Sequence, residues 1–430
     1  MTTRSPLLSP RLAALQRTLA APDGAALAAF WREVADLGTP LIEPIEGDPR
    51  HALLTFLWHG DAHTRNVAVV DGPGGGEPGE NLMKRLRGTD IWYITYRVRT
   101  DLRSKYRLAP NDSLLPEGEV TDWVARTVNW RTDPLNPRVF HSGGDPDNPE
   151  DRGWAVSMVE LPGAPPTPYL APLRGVPAGR VERHRLRSKL LRNERRIWVY
   201  TPPGYAPDGP PCDLLVLLDG QAALTAMPTP TILDNLLAEG RVPPFVAVLL
   251  DNIDGLTRLR EYLCSEPFSA FLARELLPWV RRRYRVADDP GRVILGGQSA
   301  GGLAASFAAL RHSDVFGAVL SQSGSYWWRP EGDDEHEWLA RQYVGSPRLP
   351  LRFYLDVGVL ETVTTPGDGP TQLLANRHMR DVLQARGYPV AYAEFNGGHD
   401  FLAWRRTLAD GLIALAGSNG ATLSIVNEQP

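Results

Sequence analysis

RVILGGQSAGGLAASFAALRH, residues 292–312, is the stretch whose reading decides the fold. Its first five residues form a short apolar run of strand character, and GGLAASFAALRH (301–312) reads as a helix. Between them lies Gly297-Gln298-Ser299-Ala300-Gly301, a G-x-S-x-G pentapeptide. In a chain with 40 glycines that pattern alone carries little weight. Its place between a strand and a helix carries much more. Small flanking residues there allow a tight turn that projects Ser299 from the strand end, a nucleophile elbow. The helix N-terminus behind the serine also favours developing negative charge. Ser299 is the expected nucleophile.

The same grammar extends outward on both sides. After Gly179 a hairpin-like pair (VERHRLRSKLL, then RRIWVYTPP) precedes the apolar runs CDLLVLLDG, VPPFVAVLLDN, FGAVLSQSG, LRFYLDVG and VAYAEFNGG. Helix-like segments separate them: TPTILDNLLAEG, PFSAFLARELLPWVRRRY and RHMRDVLQARG. Strands that are hydrophobic throughout and alternate with helices imply a parallel sheet covered on both faces. The expected fold of this half is that of the α/β-hydrolases, in which the catalytic order is Ser, acid, His.

That order selects the partners of Ser299. Among the downstream histidines, His312 ends a helix, His336 lies in the acidic loop GDDEHE and His378 is helical, so each reads as solvated or structural. His399 follows the last strand and the turn Asn396-Gly397-Gly398, where a base must lie to reach the serine. Glu361, just past the strand LRFYLDVG, is the favoured acid, with Asp356 inside that strand and Asp368 in the following loop as alternatives. The oxyanion needs two fixed N–H donors. Ala300, next to the nucleophile, supplies one, and Gln221, in the turn after CDLLVLLDG, the other. Gly220 shapes that turn, and Asp219 reads as a turn-stabilising side chain.

Upstream the pattern differs. Residues 10–37 carry helical periodicity (Leu12, Leu15, Leu19, then Leu27, Phe30, Trp31, Val34), interrupted near Pro22-Asp23-Gly24. From Gly38 to Leu108 short strands such as ALLTFLWHG and IWYITYRVR are punctuated by Gly, Pro and Asp, which describes a β-sandwich. Pro/Gly-rich stretches at 132–153 and 161–180 place the boundary between Pro134 and Gly179. The expected domains are 1–165 and 166–430.

Composition narrows the partners. A net charge of −4 over 430 residues gives no overall pull toward nucleic acid or anionic membrane. The basic run RVERHRLRSKLLRNERR, in its hairpin setting, reads as a solvated sheet face. Two cysteines, Cys212 and Cys264, support neither a disulfide framework nor a tetrahedral metal site. His59 and His63 flank an expected hairpin turn rather than one helical face, so no protein metal site is expected. Neither a signal-peptide h-region nor a membrane-length apolar run is found, and a cytoplasmic location is expected.

Several blocks together resemble one family. LLDGQ (217–221), RLREYL (258–263), GGQSAGG (296–302), SQSGSYWW (321–328) and GGHDFLAW (397–404) are similar to the esterase D/antigen 85 branch of α/β-hydrolases, and within it to the enterochelin (enterobactin) esterases. GTPLIEP (38–44), LLTFLWHG (53–60) and GTDIWYITYRV (88–98) extend the resemblance into the first half. The Gly-rich segment between the N-terminal strands and the loop TPGDGPT (365–371) depart from it. The resemblance implies an N-terminal Ig-like β-sandwich ahead of the hydrolase domain. It also implies hydrolysis of the ester bonds of ferric catecholate siderophores with release of iron, in a monomer or weak homo-oligomer. Iron would enter as part of the substrate, with no resident cofactor. A bulky trianion with flat rings calls for arginines and aromatic faces. Arg260 and Trp328, then Arg258, Trp327 and Trp404, are the expected substrate contacts. Two other readings are a feruloyl or carbohydrate esterase of the same branch and a non-hydrolytic siderophore-binding protein.

Overall fold

Alternating and aromatic-rich segments in the first half become two antiparallel four-stranded sheets. The computed structural model describes residues 9–19, 24–116, 119–145 and 152–417. The strands are β1 (Leu41–Ile45), β2 (Asp48–His59), β3 (Val67–Val70), β4 (Lys84–Arg85), β5 (Ile91–Arg99), β6 (Arg103–Pro110), β7 (Val139–Ser142) and β8 (Trp154–Glu160). They order as β1-β2-β5-β4 and β3-β6-β8-β7. Leu54 and Phe56 from β2 and Val98 from β5 share one buried cluster with Val69, Tyr106 and Val159 of the other sheet. The opposite side of the first sheet is covered by helices Pro10–Thr18 and Gly24–Leu37, through Leu12, Leu15, Phe30 and Val34 against Leu57 and Ile91. Of the expected helical break, Pro22 and Asp23 lie outside the described residues, and Gly24 opens the second helix.

The second half is one eight-stranded mixed sheet: β9 (Arg180–Ser188), β10 (Asn193–Thr201), β11 (Asp213–Leu218), β12 (Phe245–Leu250), β13 (Val293–Gln298), β14 (Ala318–Gln322), β15 (Arg352–Gly358) and β16 (Val390–Phe395). The order is β16-β15-β14-β13-β11-β12-β10-β9, with the β9–β10 hairpin antiparallel at one edge and the remaining six strands parallel. Because side chains alternate across a strand, Leu214, Val216 and Leu218 of β11 enter one buried cluster and Leu215 and Leu217 another. Both faces are thus apolar, which is why these strands read as unbroken hydrophobic runs. The helix Ala300–Arg311 is buried along almost its whole length on the first face. The helix Phe401–Ala416 covers the second, through Trp404, Leu408 and Leu412.

Register aligns the chemistry. Leu218 pairs with Leu250, Gln298 with Gln322, Gln322 with Asp356 and Gly358 with Phe395. The segments carrying residues 219, 251, 299, 323, 361 and 399 therefore all leave the sheet at its carboxyl edge, where ligands bind in open α/β sheets. The N-terminal half packs near that edge. Asn396 accepts at its carbonyl from Arg103 N (3.1 Å) and donates from Nδ2 to Asp101 Oδ1 (2.7 Å). Phe140 and Val156 share a buried cluster with Ala226 and Leu402.

Candidate active site

Ser299 sits at φ 58°, ψ −123°, directly before its helix. That conformation is costly for a side chain larger than glycine's and persists only when its surroundings enforce it. Here the Ser299 N–H donates to Gln322 O (2.9 Å), and its carbonyl accepts from Gly302 N and Ser325 N, each at 3.0 Å. A Cβ on Gly297 would lie 2.6 Å from the carbonyl carbon of Gly301, and one on Gly302 would lie 2.3 Å from Ser321 Oγ. The glycines around the serine are the only residues that fit so close a crossing of strand and helix. Ser299 Oγ lies 3.4 Å from Ser325 Oγ.

His399 and Glu361 meet across the ends of β16 and β15. His399 Nδ1 is 2.6 Å from Glu361 Oε2. Glu361 Oε1 accepts from Ser323 Oγ (2.6 Å) and Gly358 N (2.7 Å), and its side chain is 1% exposed. A buried carboxylate fixed by these donors directs a proton to Nδ1 and leaves Nε2 as the basic nitrogen. Trp404 braces the pair, with Nε1 donating to Ser323 Oγ (3.0 Å) and its ring 4.8 Å edge-on from the imidazole. Neither alternative acid meets His399. Asp368 is exposed in its loop. Asp356 is fully buried inside β15, where among the described residues neither carboxylate oxygen has a hydrogen bond of good geometry; burial pushes its acid up to about 7 against the opposing pull of Thr407 and Gln322, with Glu361 acting in the same direction as burial. Of the three other downstream histidines, two are engaged elsewhere: His336 with Trp327 O (3.1 Å) and His378 with Glu337 Oε1 (2.8 Å).

On the opposite side, Asp219 adopts a left-handed conformation (φ 57°, ψ 53°) ahead of the helix Gly220–Thr225. Its carboxylate is held bidentately by Arg258, at 2.7 Å from Nε and 2.6 Å from Nη2, and by Asn252 Nδ2 at 2.9 Å. Its N–H donates to Tyr262 OH (3.2 Å), and the Arg258 guanidinium lies 4.9 Å from the Tyr262 ring centroid. Ala300 and Gln221 both belong to first helical turns, whose N–H groups have no intrahelical acceptor. The Gln221 N–H is directed at Asp251 Oδ1 at 3.4 Å, beyond ordinary hydrogen-bond length. Asp251 in turn is bound by Arg196 Nη2 (2.7 Å), and burial raises its acid against that partner.

A cleft of about 470 Å³ is lined by Ser299, Gln221, Arg258 and Trp404 beside Trp154 and Phe401; His399 and Glu361 are not among its lining residues. Arg258 and Trp404 are thus brought to the nucleophile. Trp327, Trp328 and Arg260 are not among the residues lining this cleft. Trp327 Nε1 donates to Gln372 Oε1 (2.7 Å), Trp328 packs edge-on against Trp338 at 5.9 Å, and Arg260 is exposed with Nη2 3.3 Å from Thr257 Oγ1. Sequence reasoning missed Asp251, Ser325, Phe401 and Trp154. Asp251 had a signal: FVAVLLD ends as LLVLLD does, so two neighbouring parallel strands each release an aspartate at the same level. Among the described residues no cluster of three or more metal-ligating side chains forms, and no helix is long and apolar enough to cross a membrane. His59 Nε2 instead lies 2.6 Å from Asp90 Oδ2. The basic hairpin anchors itself: buried Arg195 is bidentate to Glu261, at 2.9 and 2.7 Å.

Two family models match this chain: Esterase over residues 188–415, and "Enterochelin esterase, N-terminal" over residues 53–170. The iron(III) enterobactin esterase of Dickeya dadantii is 31% identical over 421 residues, covering 89% of this chain and 91% of that protein. The iron(III) salmochelin esterase of Escherichia coli is 28% identical, covering 94% and 98%. Among solved structures, the ferric enterobactin esterase of Salmonella typhimurium superposes with a TM-score of 0.70 at 31% identity, covering 90% of this chain and 98% of that one. The Shigella flexneri enterobactin esterase, solved in the presence of enterobactin, gives 0.68 at 29%, with 90% and 97% covered. The chain belongs to the enterobactin esterase family.

Proposed function

We propose that this chain is a serine esterase that hydrolyses the ester bonds of ferric catecholate siderophores of the enterobactin type. Family membership supports the substrate, since relatives are named for enterobactin and salmochelin. The observation that carries the chemistry is the His399–Glu361 contact at 2.6 Å, raised on neighbouring strand ends at the same carboxyl edge of the sheet as the Ser299 elbow. In this reading His399 Nε2 takes the proton of Ser299 Oγ as the oxygen attacks a seryl ester carbonyl. The N–H groups of Ala300 and Gln221 hold the oxyanion, the latter exchanging its long contact with Asp251 for the substrate oxygen. His399 then returns the proton to the leaving seryl hydroxyl, and water hydrolyses the acyl-enzyme. Successive rounds open and shorten the trilactone. Iron is cargo of the substrate, released in the cytoplasm, and the protein needs no resident metal.

We further read the two N-terminal sheets as an Ig-like sandwich, supported by the single cluster they enclose. The domain boundary falls at 165/166. Leu161 N still donates to Leu102 O, whereas the carbonyls of Tyr169 and Ala171 accept from Asn235 Nδ2 of the second half. A fluorophosphonate probe tests the nucleophile: intact-mass analysis should show a single adduct on the wild type and none on Ser299→Ala. Labelling that persists in the variant would remove Ser299 from the mechanism.

A further inference from the structure

We infer that Trp154, supplied by the N-terminal half, is a specificity-determining residue that receives a catechol ring of the substrate whose ester lies at Ser299. The inference rests on the siderophore reading above and adds a residue that neither the nucleophile nor its partners imply.

Three observations converge on it. First, the backbone is built to present this side chain. Gly153 takes φ 71°, and a Cβ there would lie 2.0 Å from Ser142 O and 2.7 Å from Gly144 N. Only glycine turns the chain at that point and lets β8 begin at Trp154, in register with Ser142. Second, the ring is held but not covered. Phe140 packs against it at 5.4 Å and Phe401 at 6.1 Å, yet Trp154 remains 37% exposed. Third, the ring lines the same cleft as Ser299. From it an aromatic series runs through Phe401 to Trp404 (5.1 Å) and on to the catalytic-base candidate His399 (4.8 Å).

An indole offers a large flat face at low conformational cost, and offset stacking with another ring adds to the area it buries. A catechol arm is the matching shape: flat, aromatic, and linked through its amide to the serine that carries the ester. Arg196 and Arg258, the cleft's guanidinium groups, already hold carboxylates at Asp251 and Asp219. Recognition on this wall is therefore assigned to the aromatic face. A substrate without such a ring gains nothing from Trp154.

The test is steady-state kinetics on two substrates, a ferric catecholate trilactone and p-nitrophenyl acetate, with wild type, Trp154→Ala and Trp154→Phe. The alanine variant should raise KM for the trilactone roughly tenfold, a loss at least fivefold greater than its loss on the acetyl ester, and phenylalanine should recover most of it. Equal losses on both substrates, or an unchanged KM for the trilactone, would overturn the assignment while leaving the siderophore reading intact. Failure of the wild type to cleave the trilactone while it cleaves p-nitrophenyl acetate would overturn both. Should alanine unfold the domain boundary, Trp154→Leu, which keeps bulk without a flat ring, takes its place: a trilactone-selective rise in KM that Trp154→Phe does not show supports the stacking role, and its absence contradicts it.

Discussion

Arg258 and Asp219 form a bidentate ion pair in the cleft that holds Ser299, and their geometry suits positioning better than substrate binding. A bidentate Arg–carboxylate fork fixes both partners, and here it fixes a left-handed residue two positions before Gln221. In the proposed mechanism the oxyanion donor is thereby set by a side chain that need not touch the substrate. Arg258→Ala is expected to lower kcat for p-nitrophenyl acetate about 10- to 100-fold, less than the roughly 100- to 1,000-fold lost when an oxyanion donor is removed outright, while KM moves by less than about threefold. Lysine should restore little, since it has no fork. Steady-state kinetics checks the split, and a rise in KM at constant kcat would return Arg258 to the substrate contacts. The sequence offered no route to this pairing. An arginine just past a strand end reads as a free cation near the site, and its partner lies 39 residues upstream with no local pattern linking them. The Ser299 elbow and the His399–Glu361 contact are legible because each residue needs only its own strand end and the order of the chain.

Among the elements, β15 carries the most consequence. It delivers Glu361 to His399 and also buries Asp356, which faces Gln322 on the paired strand, Thr407 and Arg406 on the covering helix, and Glu361 beyond the strand end. Burial first, and the Glu361 charge second, raise this acid from 3.8 to about 7. A raised carboxyl favours the folded state while protonated. Its contribution is complete below pH 3.8 and is lost as pH rises toward 7. Asp356→Asn should therefore gain stability over wild type progressively between those values, reaching about 2–4 kcal/mol at pH 8. Urea unfolding at pH 4, 6 and 8 measures it, and a pH-independent difference would show that the carboxyl is not the cause. The strands themselves were readable because burial on both faces leaves no polar alternation to hide them. The longer helices are amphipathic or wholly buried and are readable by length, whereas the short ones at Gly220–Thr225, Gly255–Tyr262 and Trp338–Gly345 carry no such signal. Trp327 and Trp328 were harder: an adjacent aromatic pair beside a catalytic strand has the same pattern whether it faces core or cleft, and packing against Gln372 and Trp338 decides it.

At the scale of the molecule, two halves meet at the carboxyl edge of the large sheet, and the cleft belongs to both. Ser142, Asp145 and Trp154 from the first half face Gln221, Arg196 and Ser299 from the second, with Arg196 bridging Asp145 and Asp251. Composition shifts and linker chemistry distinguish two halves in kind, strands first and alternating strands and helices after. They gave no hint that the first half reaches the nucleophile, because a docking face is specified by residues from both partners and leaves no periodic trace in either. Substrate choice is thus a property of the assembled chain, whereas ester cleavage belongs to the second half. Product analysis tests both together: ferric and iron-free enterobactin-type trilactones are incubated with wild type and Ser299→Ala, and the products resolved by mass spectrometry. The account predicts the opened trimer, the dimer and the monomeric catechoyl-serine from the wild type and intact trilactone from the variant; an uncleaved trilactone with active wild-type protein, or the same products from Ser299→Ala, would contradict it.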